Sequence, residues 1–198
     1  MAGIIPLRRI LSVALALAFV APLGFGEQAQ AQTAWRFDRA STEVSFVGKR
    51  FGAVVTNGHF ERYDGNFTID FEHPERSRIR VTLDTASIKA GSTMVDGFIA
   101  GESMLDAAHF PAASFVSESV SRTGARSLDI RGKLTIKGVT QPFVVTATVD
   151  GDLDRAKRGA ALPFLASGSF LRPAYGIGRE VNIVDDQIDI VIKGRLMR

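Results

Sequence analysis

Between Ser127 and Val145 apolar and polar side chains alternate: Leu128, Ile130, Leu134 and Ile136 stand two apart, with Asp129, Arg131, Lys133, Thr135 and Lys137 in the gaps. Successive side chains of a β-strand point to opposite faces, so a period of two dictates a strand with one dry face and one wet face. The rhythm returns along most of the chain. Val44 and Phe46, then Phe67, Ile69 and Phe71, then Ile79, Val81 and Leu83 each repeat it, as do Phe143, Val145, Ala147 and Val149, and finally Ile188, Ile190 and Ile192. One-sided burial belongs to antiparallel sheet. Turn residues at Tyr63-Asp64-Gly65-Asn66, His73-Pro74-Glu75-Arg76, Thr123-Gly124-Ala125 and Lys137-Gly138-Val139-Thr140 separate the runs. Eight or nine short strands follow. An all-β fold, either a closed up-and-down barrel or a two-sheet sandwich, satisfies them.

One stretch breaks the alternation. Met94, Phe98 and Ile99, then Met104 and Leu105, follow helical spacing ahead of Pro111, which predicts a short helix. Gly97 and Gly101 make it weak on its own, at ~1 kcal/mol each relative to Ala. It needs a surface to lie on, and one end of the barrel supplies it.

The first 31 residues read as a leader. Arg8 and Arg9 precede an apolar run from Ile10 to Ala21, and Ala29-Gln30-Ala31 ends the segment. Basic start, short apolar run and small-x-small site are the parts of a secretory signal peptide. The expectation is cleavage after Ala31, one domain over 32–198, and a periplasmic location. Without Arg8, Arg9 and Glu27 the remainder carries 22 basic and 20 acidic residues. That near-neutral balance argues against nucleic acid as a partner, because phosphate neutralisation needs a concentrated basic face. The absence of cysteine excludes disulfide scaffolds, thiol chemistry and thiolate-ligated metal. Twelve Phe remain beyond the leader, against two Tyr and one Trp. Phe has no polar handle, so the set suits a dry interior, either a packed core or a lined cavity.

No catalytic or metal motif emerges. His59, His73 and His109 are the only imidazoles, and no two stand at a metal-ligand spacing on one element. There is no Gly-x-Ser-x-Gly elbow, and Asp185-Asp186 are neighbours whose side chains diverge on a strand. The segment from Gly48 to Gly58 lacks the ending of a phosphate loop. Two polar residues stand in apolar surroundings: Asp96 between Met94, Val95 and Phe98, and Arg172 between Phe170-Leu171 and Pro173-Ala174-Tyr175-Gly176. They read equally as a pair orienting a ligand head and as a cap or surface charge. Arg155, Lys157 and Arg158 read as a solvated hairpin tip.

These motifs together resemble the YceI-like family of secreted lipid-binding proteins across nearly the whole remaining length. The start WRFDRASTEVSFVGKRFG, then GHFERYDGNFTID, MVDGFIAGESMLDAAHFPAASFVSESV, IRGKLTIKGVTQPFVV and GSFLRPAYGIG follow the family's order of motifs. The resemblance implies an extended, lipocalin-like antiparallel β-barrel of about eight strands with a short helical segment. It implies an apolar tunnel for a polyisoprenoid or similar amphiphile, and homodimerisation. Two departures concern the head-group end: Lys49-Arg50-Phe51 replaces a His after the second strand, and Val95-Asp96-Gly97-Phe98-Ile99 keeps an Asp without its basic neighbours. An isoprenoid quinone is compatible with both.

The expectation is a lipid-binding protein without cofactor, metal or catalytic residue, a carrier or reservoir that touches the inner membrane transiently. Phe46, Phe60, Phe67, Ile69, Phe71, Ile79, Val81 and Leu83 line the tunnel with Phe115, Leu128, Ile130, Leu134, Ile136 and Phe143. Phe98, Ile99 and Met104 close one end, and Arg50, Asp96, Arg172 and Tyr175 stand at the mouth. The rival readings are a solid-cored structural or interaction barrel and, less favoured, a lipid or amide hydrolase.

Overall fold

The computed structural model describes residues 33–198; the expected leader, residues 1–31, lies outside the described residues. The alternating runs form eleven strands. These are β1 (Thr33–Phe37), β2 (Glu43–Arg50), β3 (Ala53–Phe60), β4 (Tyr63–Ile69), β5 (Arg78–Asp84), β6 (Ile88–Lys89), β7 (Ala112–Arg122), β8 (Ser127–Ile136), β9 (Val139–Val149), β10 (Leu162–Leu171) and β11 (Gln187–Met197). Three pairs of consecutive strands are single long staves broken by a bend: β1 with β2, β3 with β4, and β5 with β6. Hence β1 pairs with β4 while β2 pairs with β3, and β3 pairs in turn with β6 while β4 pairs with β5. The result is eight antiparallel staves, each hydrogen-bonded to the next. The last, β11, returns to the first through both β2 and β1. Closure removes the unpaired edges that an open sheet would expose.

The bends have local causes. Between β1 and β2, the Asp38 carboxylate accepts the Ala40 N–H at 3.2 Å and the Ser41 hydroxyl at 2.6 Å, which turns the chain at the corner. The expected turn at Tyr63-Asp64-Gly65-Asn66 is instead the first half of β4. Gly65 pairs with Val81, and a Cβ there would sit 2.5 Å from the Phe37 and Phe67 rings. The glycine makes room for aromatics and does not reverse the chain.

The segment with helical spacing forms α1 (Thr93–Ala100), capped by Ser92, whose Oγ accepts the Val95 N–H at 3.3 Å. Tight turns follow up to β7. The basic stretch expected as a hairpin tip is a short helix, α2 (Leu153–Lys157). Asp152 Oδ1 accepts the N–H groups of Asp154 and Arg155 at 2.9 and 3.1 Å, and Ala156 is buried. An N-cap side chain and a buried alanine turn a charged loop into a plug.

In an up-and-down barrel, alternate connections fall at opposite ends. The β2–β3 hairpin, α1, the β8–β9 turn and the β10–β11 connection share one end; the β4–β5, β7–β8 and β9–β10 connections share the other. At this second end Trp35, Phe37, Phe67, Val81, Ala156, Leu162 and Leu196 pack as one buried cluster.

Candidate functional site

The inward side chains of the barrel do not all close on one another. They enclose a cavity of about 820 Å3, in the upper part of the ~300–1,000 Å3 span of small-molecule sites. Apolar cavities far smaller, of ~150 Å3, already stay dry and take up apolar guests.

The strands supply Phe46, Phe60, Phe67, Ile69, Ile79, Val81 and Leu83 to the wall on one side. Opposite them stand Phe115, Leu128, Ile130, Leu134, Ile136 and Phe143, with Phe98, Ile99 and Met104 from α1 and the turn after it. Phe71, expected among them, is not in the wall. Strand β4 ends at Ile69, so the alternation does not reach it, and its ring packs edge-on against Trp35 at 6.0 Å. The list drawn from sequence omitted the last hairpin, where Phe164, Phe170, Ile188, Ile190 and Ile192 face inward. Their period of two was the available signal. Val181 and Val184 also line the cavity, but they sit in a connection without periodicity.

The opening is at one end. The exposed large apolar residues of the wall, Val55, Met94, Val95, Phe98 and Ile183, come from the β2–β3 hairpin, α1 and the β10–β11 connection. Phe37, Phe67 and Leu196 belong both to the wall and to the solid cluster around Trp35, so that cluster forms the floor.

Of the four residues expected at the mouth, Arg172 alone lines the cavity, and its guanidinium is already committed. It is 4 % exposed. Nε donates to the Asp185 carbonyl at 3.2 Å and Nη1 to the carbonyls of Ile177, at 3.3 Å, and Gly178. Nη2 donates to Val181 and Val184 at 2.6 and 3.1 Å, and lies 3.2 Å from Asp186 Oδ1. A buried charge is tolerated when its donors are satisfied; here it gathers the connection between β10 and β11 around one side chain. Tyr175 is buried beside it, edge-on to Phe170 at 5.3 Å and outside the wall. Burial pushes its hydroxyl pKa up.

Asp96 and Arg50 are outside the wall too. Asp96 Oδ1 accepts the Ala90 N–H at 2.6 Å and its Oδ2 the Lys89 ammonium at 3.3 Å, pinning the turn from β6 into α1. It acts here as an anchor for that turn, while Ser92 caps the helix. Arg50 lies 4.0 Å from Asp185 and stacks over the Phe51 ring at 4.6 Å. Asp185 and Asp186 thus diverge, one to Arg50 and one to Arg172. Lys49 donates to Asp189 at 2.8 Å, and with Ser169 and Gln187 it holds the Asp189 carboxyl down at a pKa of about 2.

The remaining polar wall residues are Thr56, Ser77, Thr85, Ser114 and Ser167. The Thr85 hydroxyl donates to the Phe110 carbonyl at 2.7 Å, and Ser77 Oγ accepts the Asp70 N–H at 3.1 Å. Among the described residues no imidazole or carboxylate lines the cavity, and none form a group of three or more metal-ligating side chains. His109 is at the surface, 2.7 Å from Asp106 Oδ1, and that hydrogen bond raises its pKa.

The chain has relatives. A UPF0312 protein of Pseudomonas putida is 40 % identical over 155 residues, 77 % of this chain and 78 % of that protein. The YceI protein of Escherichia coli is 31 % identical over 149 residues, 75 % of this chain and 78 % of that protein. Against a UPF0312 protein of Pseudomonas savastanoi, at 39 % identity, the match spans little more than half of each, 55 % and 57 %. Among solved structures, Burkholderia cenocepacia BcnA superposes with a TM-score of 0.72 at 29 % identity, over 81 % of this chain and 98 % of that one. A polyisoprenoid binding domain from Saccharophagus degradans shares the fold, with a TM-score of 0.61 at 12 % identity over 83 % and 97 %. The YceI-like domain is matched from residue 35 to residue 196. The chain belongs to the YceI-like family.

Proposed function

We propose that this protein is a non-catalytic periplasmic carrier or reservoir that holds the chain of a polyisoprenoid, an isoprenoid quinone or a similar amphiphile in its barrel. The observation that carries the reading is the apolar cavity of about 820 Å3, open at one end and floored at the other. Burying a chain there contributes ~0.8 kcal/mol per methylene, so affinity follows chain length. The committed guanidinium of Arg172 leaves the head group with little to bind, so head chemistry is a minor determinant. The fold shared with a polyisoprenoid binding domain supports the same class of guest. A wall without imidazole or carboxylate offers no general base, which favours carriage over hydrolysis. Export rests on the basic, apolar and Ala-x-Ala parts of residues 1–31; N-terminal sequencing of the secreted protein is expected to begin at Gln32.

The test is native mass spectrometry of the purified protein, before and after exposure to geranylgeraniol, followed by solvent extraction. Added mass is expected with the native wall and absent in Leu134→Arg, which sets an unpaired charge in the cavity. Lys133→Glu, on the outer face beside Glu118, is expected to retain the guest. Equal retention by both variants, or none by the native protein, overturns the reading.

A further inference from the structure

Large apolar side chains stand uncovered around the cavity mouth. Phe51 is 88 %, Met94 84 % and Ile183 72 % exposed, with Val54, Val55 and Phe98 about half exposed beside them. They come from three separate connections at the same end of the barrel. Val55, Met94, Phe98 and Ile183 are also wall residues, so one apolar surface runs from the interior over the rim.

The Phe51 N–H donates to Asp185 Oδ2 at 3.1 Å, but its side chain stands almost bare. Phe51 is the first residue of the two-residue loop Phe51-Gly52, with φ of 51°, followed by Gly52 at 84°. Such hairpin loops favour Asn, Asp or Gly at that position, and a bulky side chain at positive φ is an outlier. Its ring meets the Arg50 guanidinium on one face and is otherwise in solvent. A costly backbone conformation that presents a bare ring outward points to a contact outside the chain.

The mouth is electrically balanced. Lys49 is matched by Asp189, Arg50 by Asp185, Arg172 by Asp186 and Lys89 by Asp96. Lys137 and Arg179 are offset in number by Glu102 and Glu180 in the connections at the same end, which leaves apolar contact as the attraction.

We propose that this rim docks on a neutral phospholipid surface. Phe51, Met94 and Ile183 enter the interface, and the mouth opens onto the acyl layer. The proposal rests on the carrier reading and adds where the guest crosses. A second copy seated on the rim would stopper the cavity it leads to, whereas a bilayer supplies the guest through it.

The experiment is flotation of the full chain with phosphatidylcholine vesicles at low and high salt. The native protein is expected to float, and salt is expected to leave it bound, since screening acts on charges and not on apolar contact. Interfacial burial of one large side chain changes partitioning by about tenfold. Phe51→Asn is expected to bind about tenfold more weakly while melting no lower than native, because Asn suits the left-handed position. Adding Met94→Ser and Ile183→Ser is expected to abolish flotation. Equal flotation of the native and triple variants overturns the proposal. So does binding confined to phosphatidylglycerol vesicles and reversed by salt, or a solution dimer that Phe51→Asn dissociates. Geranylgeraniol loaded beforehand is expected to stay in Phe51→Asn as in the native protein. If the native protein floats yet never holds geranylgeraniol, the carrier reading fails and docking stands.

Discussion

Ala166 and Ala147 face each other in register on β10 and β9, and both line the cavity. Replacing Ala166 by Leu separates a cavity from a solid core, because the two cases predict opposite signs. Leucine adds three carbons. If they enter free space, each contributes up to ~0.8 kcal/mol, or ~2.4 kcal/mol together. For a domain of this size ~1 kcal/mol moves the midpoint by ~2–4 °C, so Tm is expected to rise by about 5–10 °C. In a filled core the same carbons force off-rotamer side chains at a cost of ~1–3 kcal/mol, and Tm falls. The assay is thermal unfolding followed by circular dichroism on solvent-extracted protein, so that no guest contributes to the midpoint. Retention of geranylgeraniol is expected to drop as the stability rises. A lower Tm for Ala166→Leu would refute the cavity on which the carrier reading depends.

Two further outcomes follow from the mouth. Arg172→Lys keeps the charge but replaces five fixed donors with three. It is expected to lose about 3 kcal/mol and to speed proteolysis between residues 177 and 186, read by limited trypsin digestion. The Asp189 carboxyl, held at a pKa of about 2 by Lys49, Ser169 and Gln187, lies below its unfolded value. Its contribution is therefore present above pH ~4 and lost as pH falls towards 2. With both partners partly exposed, about 1 kcal/mol is at stake; Asp189→Asn is expected to flatten the acid limb of a urea-denaturation series between pH 4 and 2.

The barrel was legible because its signal is local. The facing of Leu128, Ile130, Leu134 and Ile136 follows from a period of two, and so does most of the cavity wall. The bends were less legible: the merging of β1 with β2, or of β3 with β4, depends on which distant strand each half meets. Gly65 carried the chemistry of a turn yet makes room for two rings, Phe37 from β1 and Phe67 from its own strand. The same holds for Arg172. Sequence marked it as a charge in apolar surroundings, but its partners are carbonyls of a connection without periodicity, brought to it only by the fold. For Asp96 the sequence left a ligand-orienting role and a cap or surface charge open, because its partner, the Ala90 N–H, lies in a turn that only the fold brings to it. The hollow itself leaves no local signature, since the same inward phenylalanines could fill a core.

The floor built by Trp35, Ala156 and Leu162 has a kinetic consequence. If the protein is a carrier as proposed, a tube stoppered at its base has a single door, so a guest must back out before a successor can enter. Traffic through such a vessel takes turns. A molecule too long for the bore leaves its surplus protruding at the entrance, within reach of the next acceptor. On the carrier reading the barrel is a cup to be filled and emptied, and not a pipe.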